Sequence, residues 1–392
     1  MEISFYSIEI VYGKRREDEM LLNPFYLFSI IWGITLILYN FRVSKLFPKL
    51  TLNLLLFIVF SIFFCIVLGT IYNKKIRVNK KNRKINKKFG KEYTLIFFMF
   101  IIEFMFEKKI PLIETMNKTG YTYMDFKGIP VVHVVLFTYN FYITICTFYN
   151  YQLTKKKKYI FYSIIGVIPY ILLYLRGTIL LLLISFFLII LYFKYNIKMI
   201  LKITFIFIFI IYIFGVAGNI RHYYSWNDSR MIKKIAIIDL PKNNLDPFIW
   251  GYVYLVSPLG NLQYNVNKTI PKDNLAMFIF DNFFFDAISK RIEYISEKPK
   301  LMVPHLTVSS FYIKAYLSYG MIGMLVILFT YMVFELIYLS IIKNTQYWVI
   351  GLSIINVLNI FSVFSNMFVF SGFSFILVYI LIDIIKYKIK GD

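Results

Sequence analysis

Cysteine is nearly missing from this chain of 392 residues: Cys65 and Cys146 are the only two, both inside apolar runs, so no disulfide framework can be argued and both read as packing residues. Acidic residues are scarce too, 21 against 44 Lys and Arg, and there are three histidines. No GxGxxG, Walker loop, HExxH, CxxC cluster or GxSxG occurs, which leaves nucleotide-driven transport and zinc or serine hydrolysis without a motif. A cleavable leader is not expected either, because Lys14, Arg15, Arg16, Glu17, Asp18 and Glu19 precede the first long apolar run.

What the chain has in excess is apolar surface. With 59% hydrophobic and 20% aromatic residues, no single soluble core can absorb it, so lipid must be the solvent for most of the chain. The net charge of +23 sits in short basic clusters between apolar stretches rather than on one domain. Those clusters read as topology signals, and no nucleic-acid partner is expected.

A helical crossing takes roughly 20 apolar residues. Ten candidate spans lie near 21–40, 51–72, 92–106, 130–152, 159–175, 177–193, 203–218, 317–341, 347–368 and 370–386. None alternates like a barrel strand, so the expected fold is an all-α polytopic membrane protein of about 10 transmembrane helices with a large outer helical loop. Residues 73–91 hold ten Lys and Arg and no acid, which places them in the cytoplasm. With ten spans, Lys155–Lys158, the stretch 194–202, Lys343 and the C-terminal Lys386, Lys388 and Lys390 fall on that side, as do both termini. The chain then divides into helices one to seven (1–218), an outer loop or cap (219–316) and helices eight to ten (317–392). Within the cap, helix-like runs are expected at 247–256 and 275–296.

Arg176 stands between two apolar stretches barely long enough to span, so the Arg176–Gly177 turn should sit sunk at the outer interface. A guanidinium there either meets an anion such as a lipid phosphate or snorkels to headgroups. Arg221, His222 and Arg230 follow span seven, interleaved with Tyr223, Tyr224 and Trp226. That pattern fits a ligand that is half diphosphate and half sugar, or an aromatic belt with basic flanks. Trp250, Tyr252, Tyr254 and Asn261 lie in a half-apolar stretch where they would stack on and bond to sugar rings, or pack a cap. His305 is a candidate base for an acceptor hydroxyl, or an idle loop histidine. Asp228, Asp281, Asp286, Glu293 and Glu297 are rivals, the last four resembling a solvated helix face. Ser353, Asn356, Asn359, Ser362 and Asn366 line one face of span nine and should glue helices together.

Four segments carry a resemblance to a known family: LLNPFYLFSIIWGITLILYNF, LYLRGTILLLL, GYVYLVSPLGNLQYN and SSFYIKAYLSYGMIGMLVILF. Over most of its length the chain resembles the oligosaccharide repeat unit polymerases, or Wzy polymerases, of bacterial surface-polysaccharide pathways. The resemblance implies a glycosyltransferase of the bacterial inner membrane, similar in architecture to the O-antigen ligases, using neither metal nor other cofactor. Such enzymes move a growing glycan from undecaprenyl diphosphate onto the next lipid-linked repeat unit. Partners would be that donor and acceptor, the lipid bilayer, and a chain-length regulator and a flippase of the same pathway. Arg176 corresponds to the family's arginine at the middle hairpin, and Arg221 and Arg230 fall where basic residues of the main outer loop are expected. His305 occupies roughly the place where the related ligases keep a histidine. The paired RxxxxxxxxxxG loop motifs of some members are not found, the corresponding positions being Phe187, Ile232 and Pro241.

Other functions stay open. A flippase or secondary transporter would need many spans but not an outer loop of this length, and no two-fold repeat is visible. A transferase using a lipid monophosphate sugar would carry acids in its first outer loop, and here that loop, FRVSKLFPKL, has none. A ligase differs from a polymerase only in its acceptor.

Overall fold

The computed structural model describes residues 22–75, 83–194, 196–221 and 225–389. Among these residues every regular element is a helix. They are α1 (Pro24–Asn40), α2 (Leu52–Lys75), α3 (Phe89–Glu107), α4 (Pro111–Met116), α5 (Val132–Thr154), α6 (Lys157–Leu172), α7 (Arg176–Phe193) and α8 (Ile197–Arg221). There follow α9 (Arg230–Ile235), α10 (Phe248–Lys268), α11 (Leu275–Asn282), α12 (Asp286–Ser289), α13 (Ile313–Ile342), α14 (Trp348–Phe361) and α15 (Ser371–Ile389). Five helices, α2, α5, α7, α8 and α13, are long and apolar enough to cross a membrane, and α1 and α14 are shorter apolar helices. Each of the ten apolar segments in the sequence falls on a helix. The chain is thus a helical membrane protein.

Burial separates an inner helix from a peripheral one. In α5, 72% of the apolar window is buried, against 6% in α8, where Leu201, Phe205 and Phe209 stand exposed. An apolar face of that extent is stable only against lipid or another apolar surface. The inner helix is held by polar bonds, which hydrocarbon makes necessary for any buried amide or hydroxyl. Asn140 donates to the Gly166 carbonyl at 2.8 Å, Thr147 meets Ser163 at 3.0 Å, and Asn150 both accepts from and donates to the Ile85 backbone at 2.9 Å. The Asn150 pair ties residues 83–88 to the end of α5, and Lys87 reaches Asp383 at 2.6 Å. Segments 83–88, 150–158 and 383–388, which carry Lys84, Lys87 and Lys88, the run Lys155–Lys158, and Lys386 and Lys388, therefore share one end of the bundle.

Residue choice sets the helix ends. Asn23 caps α1, its side chain accepting from the Phe25 N–H at 3.0 Å, with Pro24 at the first position. The same side chain donates to Gly69 and Asn73 of α2, which aligns the two helices. Inside α13 the helical path breaks at Tyr319 and Gly320, the latter at φ +57°. The carbonyls of Leu317 and Ser318, freed by the break, accept from the Lys272 and Asp273 N–H groups at 3.0 and 2.9 Å.

The polar stripe of α14 joins helices as expected. Ser353 donates to Ser185, Asn356 to Leu22, Asn359 to Pro24 and Glu335, and Ser362 accepts from the Trp32 indole at 2.8 Å. Asn366, beyond the end of α14 at Phe361, bonds to the Asn282 carbonyl at 3.2 Å.

Residues 219–316 include helices that pack directly on the bundle. The expected short run at 247–256 is a helix of 21 residues, α10, packed against α1, α8, α9 and α13. Its approach to α8 depends on two glycines: a methyl at Gly215 would strike the Pro247 carbonyl, and one at Gly218 would lie 2.7 Å from the Trp250 ring. The expected helix at 275–296 is broken into α11 and α12 with irregular chain beyond. Two of its carboxylates, Asp281 and Asp286, turn to partners within the protein, while Glu293 stays exposed. Asp281, 7% exposed, takes bonds from Tyr294, Ser296 and Lys314. Asp286 accepts from the Ser371 N–H at 2.8 Å and so caps α15.

Candidate functional site

The turn between α6 and α7 lies two to three positions earlier than the sequence suggests. Residues 173–175 make the turn, with Tyr174 in the left-handed region at φ +58°, and Arg176 is the first residue of α7. Tyr174 is turned so that Leu175 N–H can reach the Tyr170 carbonyl at 2.9 Å. Arg176 is exposed, and its guanidinium lies 4.8 Å above the Tyr174 ring. It makes no ion pair among the described residues. No side chain caps α7, and the Gly177 and Thr178 N–H groups have no acceptor among the described residues. A guanidinium, two open N–H groups and the positive end of a helix dipole thus stand together at the start of α7, where nothing crowds Gly177. That combination suits an anion with several oxygens.

The second basic region differs. The Arg221 side chain, His222, Tyr223 and Tyr224 lie outside the described residues, as do Lys14–Glu19, Lys390 and residues 76–82 of the basic stretch. Arg230 opens α9, and its Nε donates to both oxygens of Asp228, at 2.9 and 3.1 Å. The arginine side chain is 71% exposed while the aspartate is 8% exposed, with Lys242 3.9 Å from the same carboxylate oxygen. Part of the charge expected to meet diphosphate is therefore answered within the protein.

The aromatic and amide residues of α10 are placed by internal bonds. Trp250 is buried, and its indole donates to Asn219 at 2.7 Å. Asn219 also accepts from Ser229 and donates to the Trp226 carbonyl, which knots the end of α8 to α9 and α10. Tyr254, the most open of the group, stacks on Trp250 and meets the edge of Phe214 at 5.3 Å. Tyr252 is half-buried beside the chain at Arg42–Ser44. Asn261 is fully buried: it donates to the Leu306 and Val308 carbonyls at 2.7 and 2.8 Å and accepts from the Met302 N–H at 3.0 Å. One turn on, Asn265 both donates to and accepts from the backbone of Lys300. These two amides hold the irregular segment 300–308 against α10, and His305 projects from it, exposed and without a hydrogen-bond partner among the described residues.

Arg176 and the α10 group belong to different neighbourhoods. The helix of Arg176 packs against α5, α6, α8 and α14, whereas α10 packs against α1, α8, α9 and α13, so α8 is their common wall.

Two buried carboxyls were not singled out by sequence reasoning. Glu103, fully buried in α3, meets His133 Nδ1 at 2.8 Å. Glu335, fully buried in α13, accepts from Asn359 at 3.0 Å through one oxygen, and the other has no partner among the described residues. Both interrupt apolar runs, FMFIIEFMF and TYMVFELIYL, and a carboxyl inside such a run is the signal that would have marked them.

Compared with models of protein families, with curated proteins and with solved structures, the chain matches none.

Proposed function

We propose that the chain joins undecaprenyl-diphosphate-linked oligosaccharide repeat units into polysaccharide on the outer face of a bacterial inner membrane. The observation that carries this reading is Arg176: an exposed arginine without an ion pair among the described residues, at an uncapped helix start, with two open N–H groups beside it. A diphosphate leaving group accumulates negative charge as the glycosyl bond breaks, and preorganised donors at that point lower the barrier. The diphosphate needs no proton from the protein to leave.

Topology supports the outer face. The lysine-bearing segments 83–88, 150–158 and 383–388 share one end of the bundle and belong in the cytoplasm by the positive-inside rule. The start of α7, separated from that end by the lengths of α6 and α7, then faces outward. On this reading the chain is a metal-independent glycosyltransferase of the inner membrane with cytoplasmic termini.

A transporter reading has one observation in its favour, the buried Glu335 with an oxygen left unpartnered among the described residues. Deleting the gene and resolving the lipid-linked glycan on a gel separates the possibilities. A ladder collapsing to a single repeat is the expected result. Loss of all outer-face material would mean a flippase, and long chains stranded on the lipid carrier would mean a ligase.

A further inference from the structure

His133 begins α5 within its first turn, beside the loop that leaves α3. Its Nδ1 lies 2.8 Å from Glu103 Oε2, and the other Glu103 oxygen accepts from the Ile129 N–H at 3.3 Å. Glu103 is fully buried, and a carboxyl there is costly unless its oxygens are bonded. The imidazole is also clamped by its surroundings. The rings of Phe126 and Phe137 stand 5.4 and 6.0 Å from it, and Gly128, at φ +61°, lies so close that a Cβ would come within 2.8 Å of the ring. Glu107, one turn beyond Glu103, fixes the same loop by accepting from Gly128 N–H at 2.8 Å, Lys127 N–H at 3.2 Å and the Tyr121 hydroxyl at 3.3 Å.

A ring held this way has a defined tautomer. With Nδ1 donating to Glu103, Nε2 keeps its lone pair. Nε2 has no hydrogen-bond partner among the described residues and is not among the buried unpartnered atoms; the side chain is 21% exposed. The Phe137 ring packs edge-on against Tyr170 at 4.9 Å, the Tyr170 hydroxyl donates to the Phe137 carbonyl, and the Tyr170 carbonyl accepts from Leu175, next to Arg176. The oriented base and the open arginine are thus linked through the Phe137 and Tyr170 rings and the turn that leads to Arg176.

We propose that His133, positioned by Glu103, is the general base for the acceptor hydroxyl, an inference that rests on the glycosyl-transfer reading above. The hydroxyl proton moves to Nε2 while its oxygen bonds to the anomeric carbon of the donor. The bond from that carbon to the phosphate oxygen breaks, and its electron pair leaves on the diphosphate held by Arg176. Nε2 then gives its proton to water.

Among the described residues the charged group in contact with His133 is Glu103; Glu107, which accepts from the Lys127 and Gly128 N–H groups and the Tyr121 hydroxyl, lies one helical turn away. A general base works only while its lone pair is free, so transfer should fall along an acid limb.

The test measures single-turnover transfer between two synthetic lipid-diphosphate repeat units against pH, with full-length protein in vesicles. His133→Asn keeps an N–H for Glu103 but removes the base, and should slow transfer roughly 100-fold or more with the acid limb gone and donor binding retained. Glu103→Gln still offers Nδ1 an acceptor and should slow transfer less, with the acid limb kept. Should His133→Asn fail to fold, His133→Gln is measured in its place. An unchanged limb in the His133 variant, or loss of the limb in His305→Asn instead, would overturn the assignment. Absence of transfer by the wild type would overturn the glycosyl-transfer reading itself, a result distinct from a working enzyme indifferent to His133.

Discussion

The neighbourhoods on either side of α8 contain similar residue types and use them differently. Around α10, Asn219, Asn261 and Asn265 spend their amides on backbone and side-chain partners, Trp250 donates its indole to Asn219, and Arg230 is held by Asp228. Around the start of α7, Arg176 has an aromatic ring beneath it, and the adjacent N–H groups are open among the described residues. The irregular segment 300–308 forms no helix, so its peptide groups must find partners elsewhere, and the nearest buried amides supply them. What sets the two neighbourhoods apart is whether the polar atoms of their side chains are already committed.

The largest expected effect is at the open end. Arg176→Ala should reduce polymer formation roughly 1,000-fold, the scale seen when one donor to a developing anion is removed. Arg176→Lys keeps the charge but not the two-pronged geometry and should lose most of the activity. Polymer length in a deletion strain complemented at matched membrane abundance measures both. Full-length polymer from Arg176→Ala would break the comparison, and full activity from Arg176→Lys alone would reduce the site to simple charge.

Next comes the committed side. Asn261→Ala leaves the Met302 N–H and the Leu306 and Val308 carbonyls without their partner, which should cost about 3 kcal/mol at roughly 1 kcal/mol per bond. The thermal midpoint of detergent-solubilised protein reads this. A sugar-binding Asn261 would instead lose transfer with its midpoint unchanged.

Much of this arrangement was legible in the sequence. Length and hydropathy located the helices, because a lipid solvent permits few alternatives, and the spacing of Ser353, Asn356 and Asn359 marked a face that does join helices. Arg176 stood out because a cation between two short apolar runs has few uses. What stayed hidden depended on pairing across the chain. Asn261 and Asn265 look like ligands until segment 300–308 is seen against them, and Glu103 is separated from His133 by 30 positions. Tyr174 gave no warning of a left-handed backbone, which a turn usually entrusts to glycine.

A smaller effect belongs to Asp286, between the bundle helices. Burial is the largest influence on this carboxyl and raises its pKa, but the bonds from Lys290 and from the Ser371 hydroxyl and N–H together outweigh it, so the pKa is lowered. A folded-state pKa below the unfolded value of about 3.9 stabilises the fold above that pH and loses the contribution as pH falls through the folded pKa. Asp286→Asn should therefore lower the thermal midpoint near neutral pH by less than Asn261→Ala does, and the gap to wild type should close below about pH 4. A gap that widened with acid would mean that the carboxylate is not what holds α12 to α15.

The smallest effect is expected at Arg230. Its side chain is 71% exposed, so its ion pair with Asp228 is screened by water, and Lys242 stands 3.9 Å from the same carboxylate, ready to take over part of the neutralisation. Arg230→Ala should cost within about 1 kcal/mol of stability. If the guanidinium is chiefly Asp228's partner, transfer should fall by less than about tenfold, against the far larger loss at Arg176. Asp228→Asn sharpens the point, because it frees Arg230 from its carboxylate without removing it. A gain in donor affinity on that change would show that Arg230 can reach the diphosphate once released. Loss of transfer from Arg230→Ala as deep as that from Arg176→Ala, at an unchanged thermal midpoint, would place a second phosphate contact beside Asp228 and end the distinction between the two neighbourhoods.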